Sequence, residues 1–488
     1  VLRLSRKTEP KPVRVRSKSD KMQSARPRLE TAMPAKFVSH GSDVAAWAKK
    51  HLGVDLMPWQ MHVARNLLGH RKGTWLNRLG LVSVARQNGK SILLRAILGW
   101  YVTDYAQRQN RPVLVITTAH KLDLAVSLFQ DIAPLLKEKF NAAVKYSYGR
   151  NELKLGNCTW VVRAATPSAG HGLSADLLLV DELWGVSQEA LDVGLLPTQR
   201  AKPNPLCVMF STAGTEDSHA MLRWREQGLR AIDTGTDAGL YLAEYSPPPN
   251  LDPMTLEAWR YANPALGYTI TEQTLHVEAA APNRAAFLRS SVNLWVQSDT
   301  GWIAPGVWAA NATTDKPEAG GVIAVEVSID EGRYCAVRVN RAPDNKVVAT
   351  VEFVVDTMAE TWRRIEDMAA ADAKLVLAVT PTLDLHCPLH LQRRRVIWGY
   401  QEVTRYTAAV RQMILERRLL HTGETMLAEH VGRAVAGRTN GTISLSSQKS
   451  PGPIELARCL VAACGLLVHS RQPAGRPAFV AVPLPRTG

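Results

Sequence analysis

Two groups of residues in this chain have the types and spacing that nucleotide chemistry requires. In the first, Val82-Ser83-Val84 runs through Ala85-Arg86-Gln87-Asn88 into Gly89-Lys90-Ser91, and an apolar stretch from Ile92 to Trp100 follows. A β-branched strand that turns on Gly-Lys-Ser into a helix is the pattern of a phosphate-binding loop. Backbone N–H groups of Arg86, Gln87, Asn88 and Gly89 can surround a polyphosphate, Lys90 can reach its β and γ oxygens, and the Ser91 hydroxyl can hold Mg²⁺. The usual pattern opens with glycine six residues before the lysine, where this chain has Val84. In the second group, Asp176-Leu177-Leu178-Leu179-Val180-Asp181-Glu182 is an apolar run ending in two carboxylates. Such a run reads as a buried strand of a parallel sheet. Asp181 would hold Mg²⁺ through water, and Glu182 would orient and deprotonate an attacking water. A third strand, Leu206 to Phe210, ends in Ser211-Thr212-Ala213-Gly214, a polar end suited to sensing a γ-phosphate. A bare Gly-Lys-Ser also suits a surface turn; the Asp-Glu strand end favours the nucleotide.

The elements that must position these groups follow from composition and periodicity. The chain has 488 residues, 46% of them hydrophobic, which is enough for two or three cored domains. No apolar run approaches the roughly eighteen residues of a membrane span, and the basic start has no apolar segment behind it, so neither a membrane partner nor a secretory signal is expected. Six cysteines, Cys158, Cys207, Cys335, Cys387, Cys459 and Cys464, lie scattered without metal-ligand spacing and read as reduced core residues of a cytoplasmic protein. Net charge is +15, which suggests a polyanionic partner. Residues 1–40 hold eleven Lys or Arg against three acids, a net +8 that leaves +7 on the rest. That segment reads as a disordered basic arm.

From 41 to 245 strands and helices alternate, the pattern of a mostly parallel sheet with its ligand at the strand C-termini. The fold class is therefore α/β, a P-loop NTPase parallel-sheet domain. Ser246-Pro247-Pro248-Pro249-Asn250 breaks regular structure and opens a connecting segment, helical in part, over 246–305. A second domain over 306–470 begins with three strands (322–328, 334–340 and 346–355), a helix over 359–371 and a returning strand over 375–380. That order opens an RNase H-like α/β fold. The tail, 471–488, rich in Pro, Arg and Gly, reads as disordered.

Beyond the phosphate loop, Met57-Pro58-Trp59-Gln60, Ala262-Asn263-Pro264-Ala265-Leu266 after Trp259, and Phe287-Leu288-Arg289-Ser290-Ser291-Val292-Asn293-Leu294-Trp295 resemble segments of the large subunit of tailed-bacteriophage terminases. The resemblance runs from about Val38 to about Val468. It implies a motor that spends ATP to move double-stranded DNA into procapsids, joined to an RNase H-like nuclease that cuts concatemers with two divalent ions, Mg²⁺ or Mn²⁺. It implies Gln60 on adenine, Lys90, Ser91, Asp181 and Glu182 in the roles above, and Ser211 and Thr212 in a segment coupling hydrolysis to motion. Arg86, a basic residue within the loop, would stabilise the developing γ-phosphate charge or equally bind phosphate in the ground state. It further implies a homo-oligomeric ring docked at the procapsid portal in the host cytoplasm, with the portal protein and a small terminase subunit as partners. Arg163 is a guess at an arginine finger, against an ordinary solvated arginine.

The nuclease part matches less well. Two Mg²⁺ ions need several anionic oxygens. Glu326 stands where the family usually has Asp, Thr380 stands where a carboxylate belongs, Asp384 four residues on is the expected substitute, and Glu455 opens the last helix. Asp330 either contributes or makes a turn. The expected metal set is thus Glu326, Asp384 and Glu455. The rival is a packaging or remodelling DNA ATPase or helicase whose C-terminal nuclease site is inactive.

Overall fold

The computed structural model describes residues 25–147, 151–215, 217–237, 239–249, 251–295, 301–304, 306–315, 319–329, 331–439, 442–450 and 452–469. Residues 1–24 of the expected arm, the expected tail 471–488 and Asp330 lie outside them. The chain divides into two compact units, 1–300 with 450–452 and 301–449 with 453–488.

The first unit is built on nine strands: β1 (Leu29–Glu30), β2 (Leu79–Ser83), β3 (Val113–Ala119), β4 (Ala143–Lys145), β5 (Glu152–Leu155), β6 (Cys158–Val162), β7 (Leu177–Asp181), β8 (Leu206–Ser211) and β9 (Leu240–Glu244). Their order is β1-β9-β2-β8-β7-β3-β6-β5-β4. The six from β9 to β6 are parallel. Burial on both faces explains why β7 and β8 read as unbroken apolar runs rather than alternating ones. The apolar helix after the phosphate loop is α2 (Lys90–Trp100), and α1 (Pro58–Leu67) packs beside it. Helices α3 (Leu122–Phe140) and α4 (His219–Thr234) follow β3 and β8.

Two parts of this unit differ from the sequence expectation. Leu29 and Glu30, within the stretch read as arm, pair antiparallel with β9 opposite Glu244 and Ala243. The connecting segment forms α5 (Leu256–Ala262), α6 (Glu272–Ala279) and α7 (Arg284–Ser290), which enclose Trp259, Phe287, Leu288 and Val292 together with Ala85 of the phosphate loop. Residues 256–292 are thereby part of the first unit's core, because their apolar side chains bury against the loop instead of bridging solvent.

The second unit has six strands: β10 (Val322–Val327), β11 (Tyr334–Ala342), β12 (Lys346–Val355), β13 (Val376–Val379), β14 (Arg395–Ile397) and β15 (Leu419–His421). Their order is β14-β13-β10-β11-β12-β15. The first three form an antiparallel meander, and β13 and β14 continue parallel on the other side of β10. Helix α8 (Met358–Ala371) supplies the crossover to β13. After α9 (Tyr400–Leu415) and α10 (Thr425–Arg433), the closing α11 (Glu455–His469) packs on β10 and β11. Residues 442–445 pair antiparallel with 436–439 in a separate two-stranded ribbon.

Candidate nucleotide site

Strand β2 and strand β7 deliver their C-terminal ends to one side of the sheet, with β8 between them. The turn after β2 reaches α2 through two left-handed residues, Gln87 at φ 60° and Gly89 at φ 89°. Such turns bend successive N–H groups toward one concavity. At Gly89 a Cβ would also lie 2.8 Å from the Gln60 side-chain nitrogen, so glycine is required twice over. Arg86 and Gln87 are exposed, Ser91 is exposed at the start of α2, and Asn88 and Lys90 are buried.

Lys90 Nζ donates to the carbonyls of Val84 at 3.0 Å and Ala85 at 3.3 Å. Burial lowers its pKa, against the pull of Glu182 and Asp181. Gln60 is buried and braces the loop: its Nε2 donates to the Gly89 carbonyl at 2.8 Å, and its Oε1 accepts from Met57 N at 2.7 Å. These bonds give the residue read as adenine-contacting a role inside the protein. Asn88 likewise turns inward. Its Nδ2 donates to Asn263 Oδ1 at 2.9 Å and its Oδ1 accepts from Ala265 N at 3.0 Å, tying the loop to the segment after α5. Only its backbone remains for a phosphate.

Asp181 ends β7 and accepts from Glu182 N at 2.9 Å. Burial, with Glu182 adding to it, pushes its carboxyl up to about 6 against the nearby Lys90 ammonium. Glu182 takes a left-handed φ of 50°. Its Oε2 accepts the Trp184 indole N–H at 2.7 Å. Ser211 Oγ accepts from Trp184 N at 3.0 Å and donates to the Thr212 carbonyl, and both Ser211 and Thr212 are buried. His120, just beyond β3, packs its ring 4.9 Å from that of Trp184. Arg163 donates to the Val162 carbonyl at 2.8 Å.

Sequence reasoning missed Asn293 as a structural tie. It is fully buried at φ 54°, donates to the Tyr245 carbonyl at 2.9 Å and to Ser83 Oγ at 3.1 Å, and accepts from Ala213 N at 2.6 Å. One side chain thus joins the ends of β2, β8 and β9. The stretch around it was legible, but its partners are not adjacent in sequence. A cavity of about 300 Å³ opens between Arg86 and Gln87 of the loop and α6 and α7, with Thr274, Glu278 and Ser290 on its wall.

The second unit does not assemble the expected metal set. Glu326 on β10 is buried with Arg458 Nη2 3.0 Å from its Oε1. Burial pushes its carboxyl up to about 8 against the pull of Arg458, and Glu455 adds to the rise. Glu455 takes Arg333 Nη2 on both oxygens at 3.1 Å. Asp384 pairs with Arg395 on β14 at 2.8 Å, and the Thr380 hydroxyl is buried without a hydrogen bond. Among the described residues, no three His, Cys, Asp or Glu side chains lie together where they could hold a metal ion. The structure does not gather the expected metal set of Glu326, Asp384 and Glu455 into one such group: each acid faces its own guanidinium, and none of the three arginines, Arg458 one turn into α11, Arg333 or Arg395, had a place in the sequence reading.

No family model matches the chain. It is 25% identical over 244 residues to the terminase large subunit of Enterobacteria phage HK97, a match spanning 47% of this chain and 47% of that protein. The crystal structure of the HK97 bacteriophage large terminase aligns over 88% of this chain and all of that one, with a TM-score of 0.50 and 18% identity. The structural likeness shows the fold, a parallel-sheet α/β domain followed by a second α/β domain. The resemblance to phage large terminases read from the sequence holds. No helix among the described residues is long and apolar enough to cross a membrane.

Proposed function

We propose that this chain is the large subunit of a phage terminase, an ATPase that drives double-stranded DNA into a procapsid. The observation that carries the reading is the meeting of Lys90, Asp181 and Glu182 at the C-terminal ends of β2 and β7, where the buried Lys90 ammonium feels the charge of both carboxylates. In this reading Lys90 binds the β- and γ-phosphate oxygens, and the loop N–H groups hold the rest of the chain of phosphates. Glu182 orients a water and takes its proton as the water oxygen attacks the γ-phosphorus and the bond to the β-phosphate oxygen breaks. Asp181 and Ser91 are the donors that would hold Mg²⁺, whose chemistry is to offset phosphate charge. A half-buried carboxylate beside the Lys90 ammonium and a second carboxylate fits such a cation. Partners in this reading are double-stranded DNA gripped through its phosphates, the portal protein, a small terminase subunit and further copies of the chain in a ring, at the portal in the host cytoplasm.

The test is ATP hydrolysis by the purified chain with and without double-stranded DNA. DNA-stimulated turnover that Glu182→Gln abolishes is expected. Turnover insensitive to DNA and unchanged in Lys90→Ala overturns the reading.

For the second unit, an RNase H-like nuclease cutting concatemers is one reading, and a DNA-binding domain with an inactive nuclease site is the other. The Arg458 to Glu326 pair favours the latter. Linearisation of a supercoiled plasmid in Mg²⁺ or Mn²⁺ that Glu326→Ala removes would restore the nuclease. An absence of cleavage in the native chain, gained in Thr380→Asp, would identify the missing ligand.

A further inference from the structure

We infer that Trp184 is a positioning residue for hydrolysis, which holds the Glu182 carboxylate in place and makes it answer to Arg289 on α7. The inference rests on the reading of Glu182 as the general base. The tryptophan is fixed from both its main chain and its ring. Its backbone N–H donates to Ser211 Oγ at 3.0 Å, and its carbonyl accepts from Ser218 Oγ at 2.6 Å, so the main chain is clamped between the end of β8 and the start of α4. His120 packs against the ring, and the Arg289 guanidinium lies 5.3 Å from the ring centroid. The remaining polar atom, the indole Nε1, donates to Glu182 Oε2 at 2.7 Å.

The backbone is shaped to allow this. Glu182 at φ 50° starts a tight 3₁₀ turn over Leu183–Gly185 that returns the indole to the carboxylate two residues before it. A left-handed glutamate is sparsely populated and costs on the order of 1 kcal/mol or more, so surrounding contacts must hold it. At Gly185 a Cβ would stand 2.8 Å from His120 Cβ and Cγ, so glycine there lets His120 approach the turn. An indole N–H on a carboxylate is a charge-assisted bond with one fixed direction, and it leaves Oε1 free to accept from water. A cation over an indole face is attracted by the ring's quadrupole, so the bond's geometry is tied to where α7 places Arg289. Three residues after helix α7 comes Asn293, which joins the ends of β2, β8 and β9. A shift of α7 would therefore move the indole and, through it, the base.

The test uses the full chain with saturating Mg-ATP and DNA. Trp184→Phe keeps a ring and removes the donor. It should lower kcat by up to about a hundredfold, the usual cost of misplacing a reacting group by an ångström, with KM and the affinity for a fluorescent ATP analogue changed less than about twofold. Arg289→Gln should lower kcat in the same direction by a smaller factor. The double variant Trp184→Phe with Arg289→Gln should be no slower than Trp184→Phe alone, because both act through one carboxylate. Unchanged kcat in Trp184→Phe, a loss confined to KM, or losses that multiply in the double variant overturns the inference while leaving Glu182 as base. Full turnover in Glu182→Gln overturns the reading of the base itself. If Trp184→Phe does not fold, as judged by thermal melting, Arg289→Gln decides, and an unaltered kcat in it overturns the inference.

Discussion

Lys90 and Asn88 stand two residues apart in the phosphate loop and do opposite things. Lys90 holds its ammonium on the Val84 and Ala85 carbonyls; with it as the phosphate-binding cation of the proposed reading, Lys90→Ala should weaken nucleotide binding and abolish hydrolysis, whereas Glu182→Gln should bind nucleotide normally and fail only in the chemical step. Filter binding of labelled ATP beside phosphate release separates the two defects. Asn88 spends its amide on Asn263 and Ala265, both buried. Asn88→Ala leaves those partners unsatisfied and should destabilise the first unit by about 2–3 kcal/mol, read from the urea midpoint. Lys90, Asp181 and Glu182 were legible because a strand end and a loop motif place their chemistry locally. The side-chain roles of Asn88 and Gln60 were not, since Asn88 meets a partner 175 residues away and Gln60 one 29 residues away.

At the scale of elements, β1 shows how two residues can be fixed by one carboxylate. Glu30 accepts from Tyr241 Oη at 2.6 Å and from Asn66 Nδ2 at 2.8 Å, and it lies 2.7 Å from His62 Nε2. Burial raises its pKa, but the bonds and charge from His62, Tyr241 and Asn66 outweigh that and hold it below 4.5. A carboxyl depressed on folding stabilises the protein above its unfolded pKa and loses that contribution as pH falls through the folded value. Glu30→Ala should therefore cost roughly 1–3 kcal/mol at neutral pH, with the gap to the native chain closing below pH 4.5 in unfolding titrations. A polar, basic stretch with no periodicity hides such a strand, and three-residue strands such as β14 and β15 are too short to carry a period. The apolar strands β7 and β8 were readable within a residue or two because burial on both faces makes every position apolar. The segment 246–305 passes for a connector in the sequence because its helices are short and their core partner, Ala85, is distant along the chain.

Over the whole molecule, the net charge of +15 is concentrated toward the start, where residues 1–24 hold eight Lys or Arg against two acids. Removing 1–24 should lower affinity for DNA of any sequence and flatten the dependence of log K on log salt by about 0.9 for each phosphate no longer neutralised, with the fold intact. Removing 1–36 should in addition lower the melting temperature, because it takes β1 and Glu30 with it. Fluorescence anisotropy across a salt series, with melting curves on the same samples, checks both. The guanidinium partners of Glu326 and Glu455 carry a different consequence, for the chain's response to chelators. A charge neutralised from within is neutralised at every concentration of magnesium, so EDTA should leave hydrogen exchange along β10 and α11 unchanged, while Mg-ATP slows exchange around the phosphate loop by mass action. The chain would then sense divalent ions with its first unit alone, and its second unit would hold the same charges with or without magnesium.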